Sequence, residues 1–187
     1  MTDLNLHHLQ AAVERHLQAG EHVPARALLD DAMARHPASV GLRLMASQAY
    51  QKAGDFAAML EAARAAAAID GAHPGAQLRL AESLIYSCQV GAALACLEAL
   101  ETQADANGRL LQDIAQLYIH CSGHAQAARC HERAVALEPD NPHYLFNLAA
   151  SCVALGDIAR AEDLLAQVVR REPLDGGAWL NRSMLRT

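Results

Sequence analysis

Five side chains that can bind soft metals crowd one stretch of this sequence: His120, Cys121, His124, Cys130 and His131 fall within twelve residues. Imidazole and thiolate are the donors that zinc takes, four at a time in a tetrahedron. The spacing argues against that use. No C-x-x-C pair is present. His120 and His124 flank a turn at Ser122-Gly123, and His131 takes a place where a helix packs inward. His7 and His8 read as surface. Cys88, Cys96, Cys121, Cys130 and Cys152 are an odd set without short pairs. They read as reduced, small apolar residues rather than a disulfide framework. Neither a metal nor another cofactor is expected.

A nucleophile beside a base is equally hard to find. Ser83, Ser87, Ser122, Ser151 and Ser183 fall on helices or turns, and there is no G-x-S-x-G elbow. No strand precedes a Gly-rich phosphate loop. Glu98, Glu101 and Asp105 read as solvated faces and helix ends. The chain is not expected to be an enzyme.

Composition narrows the partners. The 187 residues are 52% hydrophobic but only 4% aromatic, so the core must be built from Ala and Leu. Such cores favour closely packed helices over sheets. The net charge is −6 with acids and bases interspersed. No basic stripe invites nucleic acid, and no apolar run is long enough to span a membrane. The start, MTDLNLHHLQ, lacks the layout of a signal peptide, which makes a cytoplasmic protein the default.

The elements that carry these residues repeat. Residues 142–175 read as two amphipathic helices broken at Leu155-Gly156-Asp157 and closed by Pro173. Stepping by thirty-four residues without a gap gives units 6–39, 40–73, 74–107, 108–141 and 142–175, with a partial unit at 176–187. In unit three the Gly comes late, at Gly91; in unit four the break is Ser122-Gly123. Met59 stands where other units carry a small residue. Asp105, Asn107 and Gly108 replace the usual Pro, which predicts a looser connection. One helix pair cannot cover its own apolar faces, so each stacks on the next. The expectation is an all-α chain, a single domain over 1–187. It should form a right-handed α-α superhelix, a solenoid of ten helices of roughly twelve to fifteen residues and a short eleventh.

These residues resemble the tetratricopeptide repeat. In the fifth unit Leu145, Leu148-Ala149, Gly156-Asp157, Ala161, Leu165, Val168 and Pro173 follow its pattern. In the fourth, Leu111, Ile114-Ala115, Tyr118, Ala127, His131, Ala134 and Pro139 do. The resemblance implies a non-catalytic scaffold whose concave groove, lined by the first helix of each unit, binds a peptide or protein segment. The family's clamp for chaperone tails needs bases where this chain has Gln10, Glu14, Met45 and Gly75, so that partner is not expected. The tail AWLNRSMLRT is similar to the junction in bacterial proteins where such repeats precede a sulfotransferase-like domain. The chain could on that reading be the amino-terminal module of a larger enzyme. A third reading is a homodimer through the C-terminal end.

Two rows of groove places run across the units. The fifth places hold Gln10, Leu44, Leu78, Gln112, Phe146 and Leu180; the twelfth hold Leu17, Gln51, Ile85, Ile119, Val153 and Thr187. Apolar residues in such rows either form an interaction surface or pack against the adjacent first helix. Polar residues lie between, among them Arg79, Glu82, Gln116, Asn147 and Asn181. Asn147 and Asn181 share the sixth place and resemble a short Asn ladder, whose amides would both donate to and accept from an extended peptide backbone. Equally, they could be solvated surface residues. The candidate peptide-binding set is therefore Leu44, Leu78, Arg79, Glu82, Gln112, Gln116, Phe146, Asn147 and Asn181.

Overall fold

Eleven α-helices and no strand form among the described residues, which are 6–104, 107–174 and 176–185 of this computed structural model. They are α1 (Leu6–Gln18), α2 (His22–Arg35), α3 (Val40–Ala53), α4 (Phe56–Ile69), α5 (Pro74–Tyr86), α6 (Val90–Gln103), α7 (Gly108–His120), α8 (His124–Leu137), α9 (Pro142–Ala154), α10 (Ile158–Arg171) and α11 (Gly176–Met184). The odd-numbered helices start thirty-four residues apart, and so do the even-numbered ones. Asp105 and Thr187 lie outside the described residues. Among the described residues no helix is long and apolar enough to cross a membrane.

Local chemistry sets the helix starts. Ser39, His73, Asn107 and Asn141 stand just before α3, α5, α7 and α9. Each side chain accepts a first-turn N–H, from Leu42 (3.3 Å), Ala76 (3.2 Å), Leu110 (3.0 Å) and His143 (3.1 Å) respectively. These bonds satisfy donors that have no partner inside the helix. Pro74 and Pro142 occupy the first turn, where a missing N–H does no harm. Asp55 and Asp157 cap α4 and α10 in the same way.

The turn between the two helices of a pair needs one left-handed residue. It recurs at the same place: Gly20 (φ 74°), Gly54 (φ 74°), Cys88 (φ 57°), Ser122 (φ 59°) and Gly156 (φ 82°). In unit three this place is Cys88, at the front of the Cys88–Gly91 stretch, with Gly91 already inside α6; in unit four it is Ser122, within the Ser122-Gly123 break. There the strained place falls on a residue with a Cβ, at a cost of about 1 kcal/mol each.

Contacts divide the chain into two compact units, Met1–Cys96 and Leu97–Thr187, the boundary falling inside α6. In unit 1, Val13, Leu29, Leu42, Ala46, Tyr50 and Met59 form the main core cluster. Met59 is fully buried. The helices still approach because the small residue is on the other side: the Ser47 hydroxyl on α3 donates to the Met59 carbonyl on α4 at 3.1 Å.

In unit 2, α9 and α10 pack around Leu145, Leu148, Leu165 and Val168, with Ala149 and Ala161 buried among them and Val135 of α8 against the cluster. Asp105 in the expected looser connection lies outside the described residues, while Gly108 opens α7 against an aromatic ring. A Cβ there would lie 2.8 Å from the Tyr144 ring, so only Gly lets that ring close on the start of α7. Glu101 departs from its reading as a solvated acid. It is buried, 8% exposed, at a place where Met33, Ala67, Val135 and Val169 stand in the other repeats. Its carboxylate accepts from the Tyr118 hydroxyl (3.1 Å), Arg129 (3.1 Å) and Arg133 (3.4 Å). A carboxylate out of water is tolerated only with donors of this kind around it. Burial, and then the Glu101 charge, hold the Tyr118 phenol well above its ordinary range.

Candidate interaction surfaces

In unit 1, α3 and α5 bring four of the candidate residues onto first helices. Leu44 and Leu78 are half-buried. Arg79 and Glu82, one turn apart on α5, pair at 2.8 Å. Gln51, at the end of α3, closes the set. It accepts from Arg79 at 2.9 Å and donates to Glu82 at 2.9 Å. The three side chains thus satisfy one another and leave no unmatched charge.

In unit 2 the corresponding places behave differently. Asn147 on α9 donates to the Gln112 Oε1 on α7 at 2.5 Å. The Gln112 Nε2 is buried without a hydrogen-bond partner. An amide donor left this way is costly to stability. Gln116, one turn further along α7, is exposed. Asn147 is therefore paired sideways to Gln112, while Asn181 on α11 is exposed and lines a pocket. That pocket, of about 290 Å³, lies among α9, α10 and α11. Phe146, Val153, Leu165, Met184 and Leu185 give it apolar walls, and Asn181 gives it a polar edge. Its size suits one large apolar side chain rather than a whole cofactor.

Sequence reasoning missed Met184, Leu185 and the helix-packing alanines as pocket residues. Ala149 and Ala150 also line the space, and their small size is the signal that room exists beside Phe146. Of the candidate residues, Arg79 and Glu82 are paired with each other.

The His/Cys stretch of unit 2 is dispersed. Cys130 and His131 are buried on α8, whereas His120 is exposed at the end of α7. His131 shares a hydrogen bond with the Ser151 hydroxyl at 2.8 Å, through Nδ1. Burial pulls the His131 imidazole down to about 4, so it is neutral near pH 7. Burial, with the Glu101 charge second, pushes the Cys130 thiol up to about 12. A protonated thiol is a poor nucleophile and a poor metal ligand. Among the described residues no three His, Cys, Asp or Glu side chains gather as a metal site would require.

Residues 123–181 match the family model described as tetratricopeptide repeat. No curated protein matches the chain. Solved structures do. MamA from residue 41 to its end, of Desulfovibrio magneticus, superposes with a TM-score of 0.66 at 20% identity, covering 90% of this chain and 95% of that one. A thermophilic repeat protein of Thermus thermophilus gives 0.64 at 17% identity, covering 96% and 98%. A tetratricopeptide repeat protein of Parabacteroides merdae gives 0.72 at 16% identity, covering 96% of this chain and 71% of that one. At such identities the likeness is one of fold. That fold has two helices per repeat and no strand among the described residues. The match to the tetratricopeptide repeat model runs from the start of α8 into α11, and the chain as a whole shares the fold of these solved repeat structures.

Proposed function

We propose that the chain is a scaffold that binds a peptide or protein segment, and that binding centres on the first helices of unit 2. The segment lays an apolar side chain into the pocket beside Phe146 and Val153. Its backbone or a polar side chain meets Gln112, Gln116, Asn147 and Asn181. The observation that carries this reading is the pocket of about 290 Å³ walled by Phe146, Val153, Met184 and Leu185. In unit 1, Leu44 and Leu78 offer a separate apolar strip, with Arg79 and Glu82 acting as its closed polar border.

The test is a display library of short random peptides, panned on the full chain and on the variant carrying Phe146→Ala and Asn147→Ala. Peptides with a large apolar anchor should be recovered by the parent and lost by the variant. Circular dichroism should show the variant as helical as the parent. Equal recovery on both would contradict the site.

A further inference from the structure

Unit 1 holds a cavity of about 580 Å³ walled by three helices. Met33 comes from α2, Arg43 and Tyr50 from α3, and Ala58, Ala62 and Ala65 from α4. It shares no residue with the pocket beside Phe146.

The repeat register explains the space. Two repeats on, the place of Met33 is taken by Glu101, that of Tyr50 by Tyr118, that of Glu61 by Arg129 and that of Ala65 by Arg133. In unit 2 the Glu101 carboxylate sits among the Tyr118 hydroxyl and the guanidinium groups of Arg129 and Arg133, and these side chains fill the place. In unit 1 the short Ala65 side chain leaves room where Arg133 reaches across. Met33 brings no charge where Glu101 brings one.

The charges around the cavity are matched, with one exception. Arg26 pairs with Asp55 at 3.4 Å, and Glu61 pairs with Arg64 at 3.1 Å. Arg43 makes no ion pair among the described residues. It stands where Leu111 and Leu145 are buried, so its half-buried guanidinium lines the cavity at an otherwise apolar place. Its acceptor is the Met33 thioether at 3.2 Å. Sulfur is a weak acceptor. A carboxylate, which can take two parallel N–H donors, is the matching group for a guanidinium. Three helical walls, a lining of Ala, Met and Tyr, and one unmatched charge are the make-up of a small-molecule site, and the volume is in the range of such sites.

We propose that this cavity binds a small organic acid, with its carboxylate on Arg43 and an apolar body over Ala58, Ala62 and Ala65. The acid does for Arg43 what Glu101 does for Arg129 and Arg133. The site is independent of the peptide pocket of unit 2.

The probes are octanoate and phenylacetate, each titrated by calorimetry into the full chain beside its uncharged amide. At least one acid should saturate, with its amide weaker by about tenfold or more. Arg43→Leu, which restores the residue type of Leu111 and Leu145, should weaken the acid by about tenfold or more and leave the amide unchanged. Ala65→Leu keeps Arg43 but fills the space, and should lose both probes. The double variant Phe146→Ala, Asn147→Ala should bind the acid as the parent does, so a failure of the peptide pocket leaves this site standing. Circular dichroism checks that each variant keeps its helices. No saturating acid, equal binding of acid and amide, or an Arg43→Leu variant that binds as the parent does would each overturn the proposal. So would binding of an end-capped peptide with a single Glu among leucines when neither acid binds, which would give the cavity to a protein segment.

Discussion

Unit 1 and unit 2 use the same repeat places to opposite ends. In unit 1, Gln51, Arg79 and Glu82 form a closed triad in which each polar group meets another. In unit 2, Asn147 and Gln112 pair but leave the buried Gln112 Nε2 unmatched, and the residue before Asn147, Phe146, walls an apolar pocket. Unit 2 also buries Glu101 and His131 at places that unit 1 fills with apolar side chains, Met33 and Leu29 among them. By stability alone the unit 1 solution is favoured, because matched or apolar groups cost less than buried unmatched ones. Polar groups retained in unit 2 are where a ligand, or a sensitivity to conditions, finds its purchase.

This contrast can be broken most forcefully at Glu101. Glu101→Ala strands the buried Tyr118 hydroxyl and removes the carboxylate to which Arg129 and Arg133 donate, and should destabilise unit 2 by about 3 kcal/mol. Urea unfolding followed by Trp179 fluorescence reads it directly, since Trp179 is in unit 2. A loss below about 1 kcal/mol would mean that water already serves those groups.

Acid should separate the units next. The folded value of His131 is about 4, against 6.5 for a free imidazole. Its folded value is depressed, so the unfolded chain binds the extra proton first as pH falls. The contribution is fully present above about pH 6.5 and is lost progressively down to about pH 4, to a total of about 3 kcal/mol. Unit 2 stability should fall across that window. His131→Leu, which restores the residue type of Leu29, Leu97 and Leu165, should flatten the dependence. An unchanged slope in that variant would assign the acid sensitivity elsewhere.

A smaller effect is expected in unit 1. Arg79→Ala removes one corner of a part-buried triad and should cost about 1 kcal/mol, read as a shift in the thermal midpoint by circular dichroism. Smallest of all, Cys88→Gly and Ser122→Gly each relieve a left-handed residue that carries a Cβ. Each should stabilise its unit by about 0.5–1 kcal/mol. Destabilisation would mean that these side chains make contacts worth more than the strain.

The all-helical class was legible because Ala, Leu, the caps and Pro74 and Pro142 all agree locally. The site was legible in part. Phe146, Val153 and Asn181 follow from repeat places, and they do line one pocket. Glu101 was not legible as a buried residue. Its partners Tyr118, Arg129 and Arg133 are 17, 28 and 32 residues away, and an acid in a helical sequence looks like any other solvated acid. The Asn147–Gln112 bond spans 35 residues and is hidden for the same reason. The turns at Cys88 and Ser122 were legible, but which residue of each takes the left-handed conformation was not, because neither is a Gly. Local signals survive in one sequence; pairings between repeats do not.

The central claim is that unit 2, rather than unit 1, holds the binding site. Peptides recovered on the parent chain should be titrated by calorimetry into two double variants side by side. Phe146→Ala with Asn147→Ala should lose about tenfold or more in affinity, and Leu44→Ala with Arg79→Ala should change by less than about twofold. Equal losses in both, or a larger loss in the unit 1 variant, would contradict the account.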